Sequence, residues 1–376
     1  MTKQEFLDKL EAGLAGTNEE EQVLEFYREM IADRVEDGMS EEEAVAQVGT
    51  VEEILASCVQ SVTVVPRQNT EQTGEIRRVV IREREFDIQI LPTEEPRYRL
   101  EGQDRYHEMS LENGTLRILR SKEPLPRRLF SSQSEEMTLY LPRGCYESLD
   151  ITTASGNMEI QQDFASVRVS GASSDITLSG TFGGRVDIQT ASGDVELNGV
   201  FGDTLQVQTA SGDVALTGRF SGADQVQTRS GEIEAREAGF GSVGLRTASG
   251  DVALHNVLAD TLEIHCASGD LDLNRVCGQT LVLESKSGDM DLMDTQSKGS
   301  FRCKTVSGDM ELRRVDGPDM DLETVSGDIS GFLLHGKHFT TRTVSGDFAL
   351  CGGTPEGTCR IVTVSGDVRL GLAEEP

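Results

Sequence analysis

The stretch "TASGDVEL", Thr190 to Leu197, returns as "TASGDVAL" at Thr209 to Leu216 and again at Thr247 to Leu254. Its serine recurs at positions 155, 173, 192, 211, 230, 249, 268, 287, 307, 326, 345 and 365, in steps of 18 to 20 residues. Twelve copies at so steady a period mark a solenoid, in which no unit buries its own apolar face and each gains a core by stacking on its neighbours. Within one unit, "RVDIQTASGDVELNGVFGDTL" alternates Val186, Ile188 and Thr190, turns at Ser192 and Gly193, resumes with Val195 and Leu197, and closes at a glycine-rich corner. A 19-residue unit with two or three short strands has no room for a helical crossover. The chain is therefore read as mainly β: a parallel β-solenoid (β-helix) of about twelve 19-residue coils over residues 151–376, with coils about 4.8 Å apart. The narrow bore accounts for the absence of Trp and for the prevalence of Val, Leu, Ile and Thr.

The turn chemistry follows from the residue types. Glycine suits a left-handed or strained turn position, and Asp beside it accepts hydrogen bonds from local amides. This assigns a structural turn ladder to Asp175, Asp194, Asp213, Asp251, Asp270, Asp289, Asp309, Asp328, Asp347 and Asp367, with Asn157 and Glu232 as substitute acceptors and Ser174 in place of one glycine. Thr190, Thr209, Thr228, Thr247, Thr305, Thr324, Thr343 and Thr363 form a parallel hydroxyl ladder in which Cys266 and Ser285 stand in. Stacked carboxylates repel by only about 0.9 kcal/mol per neighbouring pair in water, so amide capping holds the ladder without an ion. The same carboxylates are the candidates for a cation. One carboxylate per coil, however, falls well short of the six to eight oxygens that Ca²⁺ takes, and neither a metal nor a cofactor is expected.

The net charge of −30 is unevenly spread: residues 1–60 hold 16 acids against 4 bases, and residues 61–150 hold 16 against 14. Such a balance opposes nucleic-acid and anionic-membrane binding, because both partners are polyanions. The seven cysteines form no CxxC pair and read as reduced thiols. No run reaches the roughly 18 apolar residues of a membrane helix, and "MTKQEFLDKLEAGLAG" is too acidic for a signal peptide. The expected location is cytoplasmic, with cell-envelope association as the alternative.

Residues 1–60 read differently. Thr2 with Glu5, Thr17 with Glu20, Ser40 with Glu43 and Thr50 with Glu53 are four capping boxes, each opening an apolar-periodic run. They predict four short helices, the second ended by Gly38 and the third by Gly49. A linker over 61–75 leads to strand-like segments over 76–150, including "FDIQILP", "TLRILRS" and "MTLYLP", expected to form an irregular entry or cap that hides the first solenoid edge. At the other end Glu374, Glu375 and Pro376 are expected to blunt the last coil.

Several one-off motifs carry no expected chemistry. "GFGSVG", Gly239 to Gly244, fits a dinucleotide fingerprint but is followed by a strand where a helix is required. His107, His255, His265, His335 and His338 show neither metal nor triad spacing. The pattern breaks at Arg229 to Glu232, at Lys286 and at His335 to His338.

The run "KQEFLDKL", then "EEEQVLEFYREMIADRVEDGMSEEEAVAQVGTVEEIL", resembles the bacterial HAAS signalling domain, the matching positions being Phe6, Leu7, Tyr27, Gly38, Glu43, Ala44, Gly49 and Ile54. That resemblance implies a protein-interaction role, with a PadR-type regulator or a membrane protein as partner and Phe6, Tyr27, Gly38 and Gly49 as docking candidates. "DIQILP", "LYLP" and the Ser-Gly-Asp coils resemble a family of bacterial β-solenoid proteins named as adhesins, over roughly residues 76–371. Many of its members also carry a membrane helix, which this sequence lacks. The reading that results is a non-enzymatic intracellular scaffold or regulatory adaptor whose front helices dock a partner. An adhesin-like module for an envelope component, or a carbohydrate-active β-helix enzyme, are the alternatives, and self-association is open to a rod of this kind. A catalytic carboxylate pair is a single event in a fold, whereas these Asp residues repeat in nearly every coil.

Overall fold

The computed structural model describes residues 2–14, 24, 27–28, 31, 34–35, 39–48, 50–51, 75–102, 107–120, 136–350 and 353–373. The chain divides into two compact units, one built from helices and one from strands. In the helical unit, Lys3–Leu14 and Glu41–Val48 each open on the expected capping box. The amide of Glu5 donates to Thr2 Oγ1 at 3.2 Å while that of Thr2 donates to Glu5 Oε2 at 3.1 Å, and Ser40 and Glu43 repeat the exchange at 3.4 and 3.2 Å. Of the other two boxes, Thr17, Glu20 and Glu53 lie outside the described residues, as do Gly38 and Gly49.

The strand unit is a parallel β-solenoid. In each coil one strand enters the Ser-Gly-Asp turn and a second leaves it, and both stack in register on the equivalent strands of the neighbouring coils. Alternation puts every second side chain inside. Val186, Ile188, Val195 and Leu197 are buried in one coil, and Leu205, Val207, Val214 and Leu216 occupy the same sites in the next. One inner ladder is aromatic: Phe182, Phe201, Phe220 and Phe240 stack with centroids 5.1, 4.9 and 4.9 Å apart.

The corner opposite the turn changes its construction along the stack. Gly180, Gly199 and Gly218 make it with φ of 152°, 148° and 115°. In the next coils a residue is inserted and the left-handed conformation passes to Glu237, Asn256, Arg275, Asp294 and Arg314, with φ between 49° and 61°. These side chains stack outside the core, where Arg314 Nε donates to Asp294 Oδ1 at 2.7 Å.

Stacking order departs from chain order at both ends. Strand Arg78–Arg82 pairs with Thr115–Arg120 on one side and Tyr146–Thr152 on the other, and Asp87–Thr93 likewise lies between Glu136–Pro142 and Met158–Ile160. The first level in the chain is thus the second in space. The outermost level is covered by antiparallel strands, Arg99–Glu101 on Glu136–Pro142 and His107–Glu112 on Thr115–Arg120. These antiparallel strands belong to an interleaved entry.

At the far end Pro355–Val362 pairs with Asp319–Glu323 and with Gly336–Arg342, while Val368–Leu372 lies between Ile329–Leu333 and Phe348–Leu350. The last coil in sequence is an interior level. This corrects the expectation that the C-terminal residues blunt the stack: the end level is 336–350, and Glu374, Glu375 and Pro376 lie outside the described residues. Asp316, Lys337 and Arg360 pin the crossing. The buried Lys337 ammonium donates to Asp316 Oδ1 at 2.5 Å, Arg360 reaches Asp321 at 2.5 Å, and His335 Nδ1 lies 2.7 Å from Asp316 Oδ2. Burial raises the Asp316 carboxyl, but hydrogen bonds from Lys337 and His335 and the Lys337 charge outweigh it and hold the group below its ordinary range.

An interior level exchanges its amides more slowly than an end level. Hydrogen exchange is expected to leave Thr358 to Val362 protected after His338 to Arg342 have exchanged, and the opposite order would contradict the interleaved end.

Candidate functional site

The turn ridge is built backbone on backbone. A Cβ added to Gly212 would lie 1.8 Å from the carbonyl oxygen of Gly193, and one on Gly231, Gly250, Gly269, Gly288, Gly308 or Gly327 would meet the preceding motif glycine at 1.8–1.9 Å. Close approach, rather than a left-handed φ, is what requires glycine in most of these turns; Gly156 and Gly346, with φ of 112° and 138°, are the left-handed ones.

The Asp ladder ties one coil to the next. Asp270 Oδ1 accepts from the amide of Asp289 at 2.8 Å, and the same bond joins Asp175 to Asp194, Asp194 to Asp213, Asp251 to Asp270, Asp289 to Asp309 and Asp309 to Asp328. It then follows space rather than sequence, from Asp328 to Asp367 and from Asp367 to Asp347. The sequence reading placed these bonds within each turn; they run between turns, because the carboxylate points along the stack. The ladder begins earlier than the motif does, with Asp87 accepting from Asn157 at 2.7 Å and Asn157 from Asp175 at 3.2 Å. Asp87 has no Ser-Gly before it. Its signal was "DIQI", the strand start that follows the motif elsewhere. Among the described residues the ladder is interrupted at Glu232, whose longer carboxylate makes no bond to the amide of Asp251.

The Thr ladder is buried and works inside the turn. Thr209 Oγ1 accepts from the Gly212 amide at 3.0 Å, and Thr228, Thr247, Thr324 and Thr363 do the same for their own glycines. Cys266 Sγ and Ser285 Oγ replace them at 2.9 and 3.1 Å. Cys303 and Cys359 are also buried, and burial pushes the Cys359 thiol up to about 12. No cluster of His, Cys, Asp or Glu among the described residues has the geometry of a metal site.

The docking candidates Phe6 and Tyr27 are 0% and 3% exposed and meet edge to face at 6.0 Å, with Leu7, Leu10, Ile31, Ala44 and Val45 around them. They build the interior of the helical unit. His107, assigned no role, lies buried beside Glu83 at 3.4 Å; Arg120 reaches the same carboxylate at 3.4 Å and covers the Phe86 ring at 4.4 Å. This cluster joins the antiparallel cap to the first turn.

Two surface features stand out from the repeat. The residue before the motif serine is Ala in six turns, Arg229 and Lys286 in two, and Val at 306, 325, 344 and 364, and these valines are 42%, 43%, 82% and 42% exposed. Because the last coil is interleaved, they form one continuous stripe. The second is a groove of about 490 Å³ at the corner where the phenylalanine ladder gives way to Ala259 and Gly278. Phe220, Phe240 and Leu258 give it an apolar floor and wall, and Arg219, Asp260 and Lys298 stand around it. "GFGSVG" lies here, on strand and not at a helix N-terminus, as its sequence context implied.

A buried carboxylate lies in the same coil. Position 224 belongs to an inward ladder of Val186, Leu205, Val243, Leu262 and Leu281, yet it holds Asp, 1% exposed. Oδ1 accepts from the Leu205 amide at 3.0 Å and Oδ2 has no hydrogen-bond partner. Burial pushes this carboxyl up to about 6, and the Leu205 bond offsets part of the shift. The sequence signal was available: every other coil carries an apolar residue six places before its motif serine.

The profile of the Toastrack DUF4097 family matches residues 76–241 and 225–370, and that of the HAAS domain matches residues 5–57. The chain belongs to the Toastrack DUF4097 family. The two Toastrack matches overlap over 225–241, the segment holding the Arg229 to Glu232 break and Gly239, Phe240 and Gly241 of the groove. No curated protein and no solved structure matches the chain. No helix among the described residues is long and apolar enough to cross a membrane.

Two outcomes follow from the carboxylates. Asp270→Ala removes a bond to an amide and is expected to cost about 1–2 kcal/mol, while Asp270→Asn, which keeps an acceptor, costs less; chemical denaturation measures both. Asp224 has a folded pKa raised above its unfolded value, so the folded state holds the proton more tightly and stability falls as pH rises from about 4 to about 6. Asp224→Asn, which keeps an acceptor for Leu205, is expected to flatten that fall in melts across the window.

Proposed function

We propose that this protein is a non-enzymatic scaffold or regulatory adaptor, in which the Toastrack solenoid is a rigid display surface and the HAAS-like helices engage a protein partner. The observation that carries the reading is the ladder itself. The repeated carboxylates, the groups an enzyme or an ion site would draw on, are committed to the amide of the next coil at every rung but Glu232 and the terminal Asp347. Around them the solenoid offers what a display surface needs: a stiff parallel stack, an exposed valine stripe and a groove with an apolar floor. A protein partner agrees with the match to HAAS, and the partner class its resemblance implies is a PadR-type regulator.

The helical unit is small and depends on a handful of buried side chains, so a charge in its core disables it while leaving the solenoid intact. Ala44 is fully buried there. The full chain is expected to co-elute with a PadR-type regulator from the same cells in size-exclusion chromatography, and Ala44→Arg is expected to abolish that co-elution. Co-elution undiminished in Ala44→Arg would remove the helices from partner docking.

A further inference from the structure

The groove at the Gly239 corner is not a by-product of the fold. Stacked corner positions 219, 239, 258 and 277 carry Arg, Gly, Leu and Cys. Gly239 has no positive φ, and a Cβ built on it would meet nothing within 4 Å. Neither backbone nor packing demands a glycine there. By contrast, a Cβ on Gly241 would press on the Ser221 carbonyl at 2.8 Å, so that glycine is sterically fixed. The missing side chain at 239 opens a gap about two strand spacings wide, roughly 9.6 Å, between the Arg219 and Leu258 rungs.

What borders the gap defines its occupant. Leu258 is 64% exposed, an apolar side chain held in water at the groove wall, and Phe220, Phe240 and Ala259 lie beneath. Arg219 and Lys298 stand at the two ends, four rungs or about 19 Å apart along the stack. Among the described residues neither has a carboxylate within ion-pair range, while Arg236, Arg302 and Lys304 nearby are paired with Glu234, Asp321 and Glu323. Asp260 is the one acid lining the groove, so a site on a chain of net charge −30 is locally cationic. A span of about 19 Å is the length of roughly six extended residues.

We propose that this groove docks an extended acidic segment of a protein partner. A large apolar side chain enters the gap at Gly239 against Leu258 and Phe240, and carboxylates on either side pair with Arg219 and Lys298. The inference rests on the scaffold reading and names the partner's chemistry at a second place on the molecule.

The test uses the full chain and a fluorescein-labelled hexapeptide, Glu-Glu-Leu-Phe-Glu-Glu, followed by fluorescence anisotropy. Saturable binding is expected, weakening as salt screens the end charges. Arg219→Gln with Lys298→Gln is expected to lower affinity at least tenfold and to remove most of the salt dependence. Gly239→Leu fills the gap and is expected to abolish binding, with circular dichroism checking that the fold is kept. Lys-Lys-Leu-Phe-Lys-Lys should not bind. Failure of the acidic peptide to bind, equal binding of both peptides, or binding unchanged in both variants overturns the groove assignment. Co-elution through the helical unit is read separately, so loss of the groove leaves the adaptor reading standing, and the reverse.

Discussion

Everything in the solenoid depends on how closely one turn lies on the next. The motif glycine brings its backbone against the carbonyl of the glycine below, at a distance that leaves no room for a Cβ. That contact sets the rung spacing and lets the Asp carboxylates reach the amide of the neighbouring coil while Thr hydroxyls such as that of Thr209 accept inside their own turn. Parallel strands on both sides inherit the register, and the apolar side chains are forced into continuous ladders. A one-residue slip would turn those ladders to solvent; at one corner the inserted residue is absorbed by Glu237, Asn256, Arg275, Asp294 and Arg314 in the left-handed conformation.

A stack of this kind has two ends, and an exposed strand edge invites pairing with other chains. Here each end is interleaved, so that the first and last levels of the chain are both held between two others. Fraying of a chain terminus therefore requires breaking two strand interfaces instead of one. Buried ion pairs sit at these crossings, with Glu83 and Arg120 at one end and Asp316 and Lys337 at the other. They fix which loop passes where, a question that interchangeable apolar rungs leave undetermined.

Repetition also makes the exceptions informative. When a ladder of Val and Leu contains one Asp, or a rung of side chains contains one glycine that nothing requires, the departure has no architectural cause in the coil that carries it. Asp224 and Gly239 lie within one coil of each other, Asp224 immediately before the segment 225–241 where the two family matches overlap and Gly239 inside it. That segment borders the groove.

The sequence by itself determined the fold class, the period, the inward and outward faces and the stand-in roles of Cys266 and Ser285, because a strict repeat makes each local rule visible many times over. It also showed that two of the helix starts are capping boxes, since those contacts span three residues. It did not determine the direction of the Asp bonds, which join residues 19 apart by way of the stack, nor the burial of Phe6 and Tyr27, which a motif match cannot distinguish from exposure. The interleaved ends were beyond it altogether. All rungs resemble one another, so only the three-dimensional pairing decides which rung is outermost, and only that pairing joins Val306, Val325, Val364 and Val344 into one stripe and leaves Leu258 beside an empty place in the ladder.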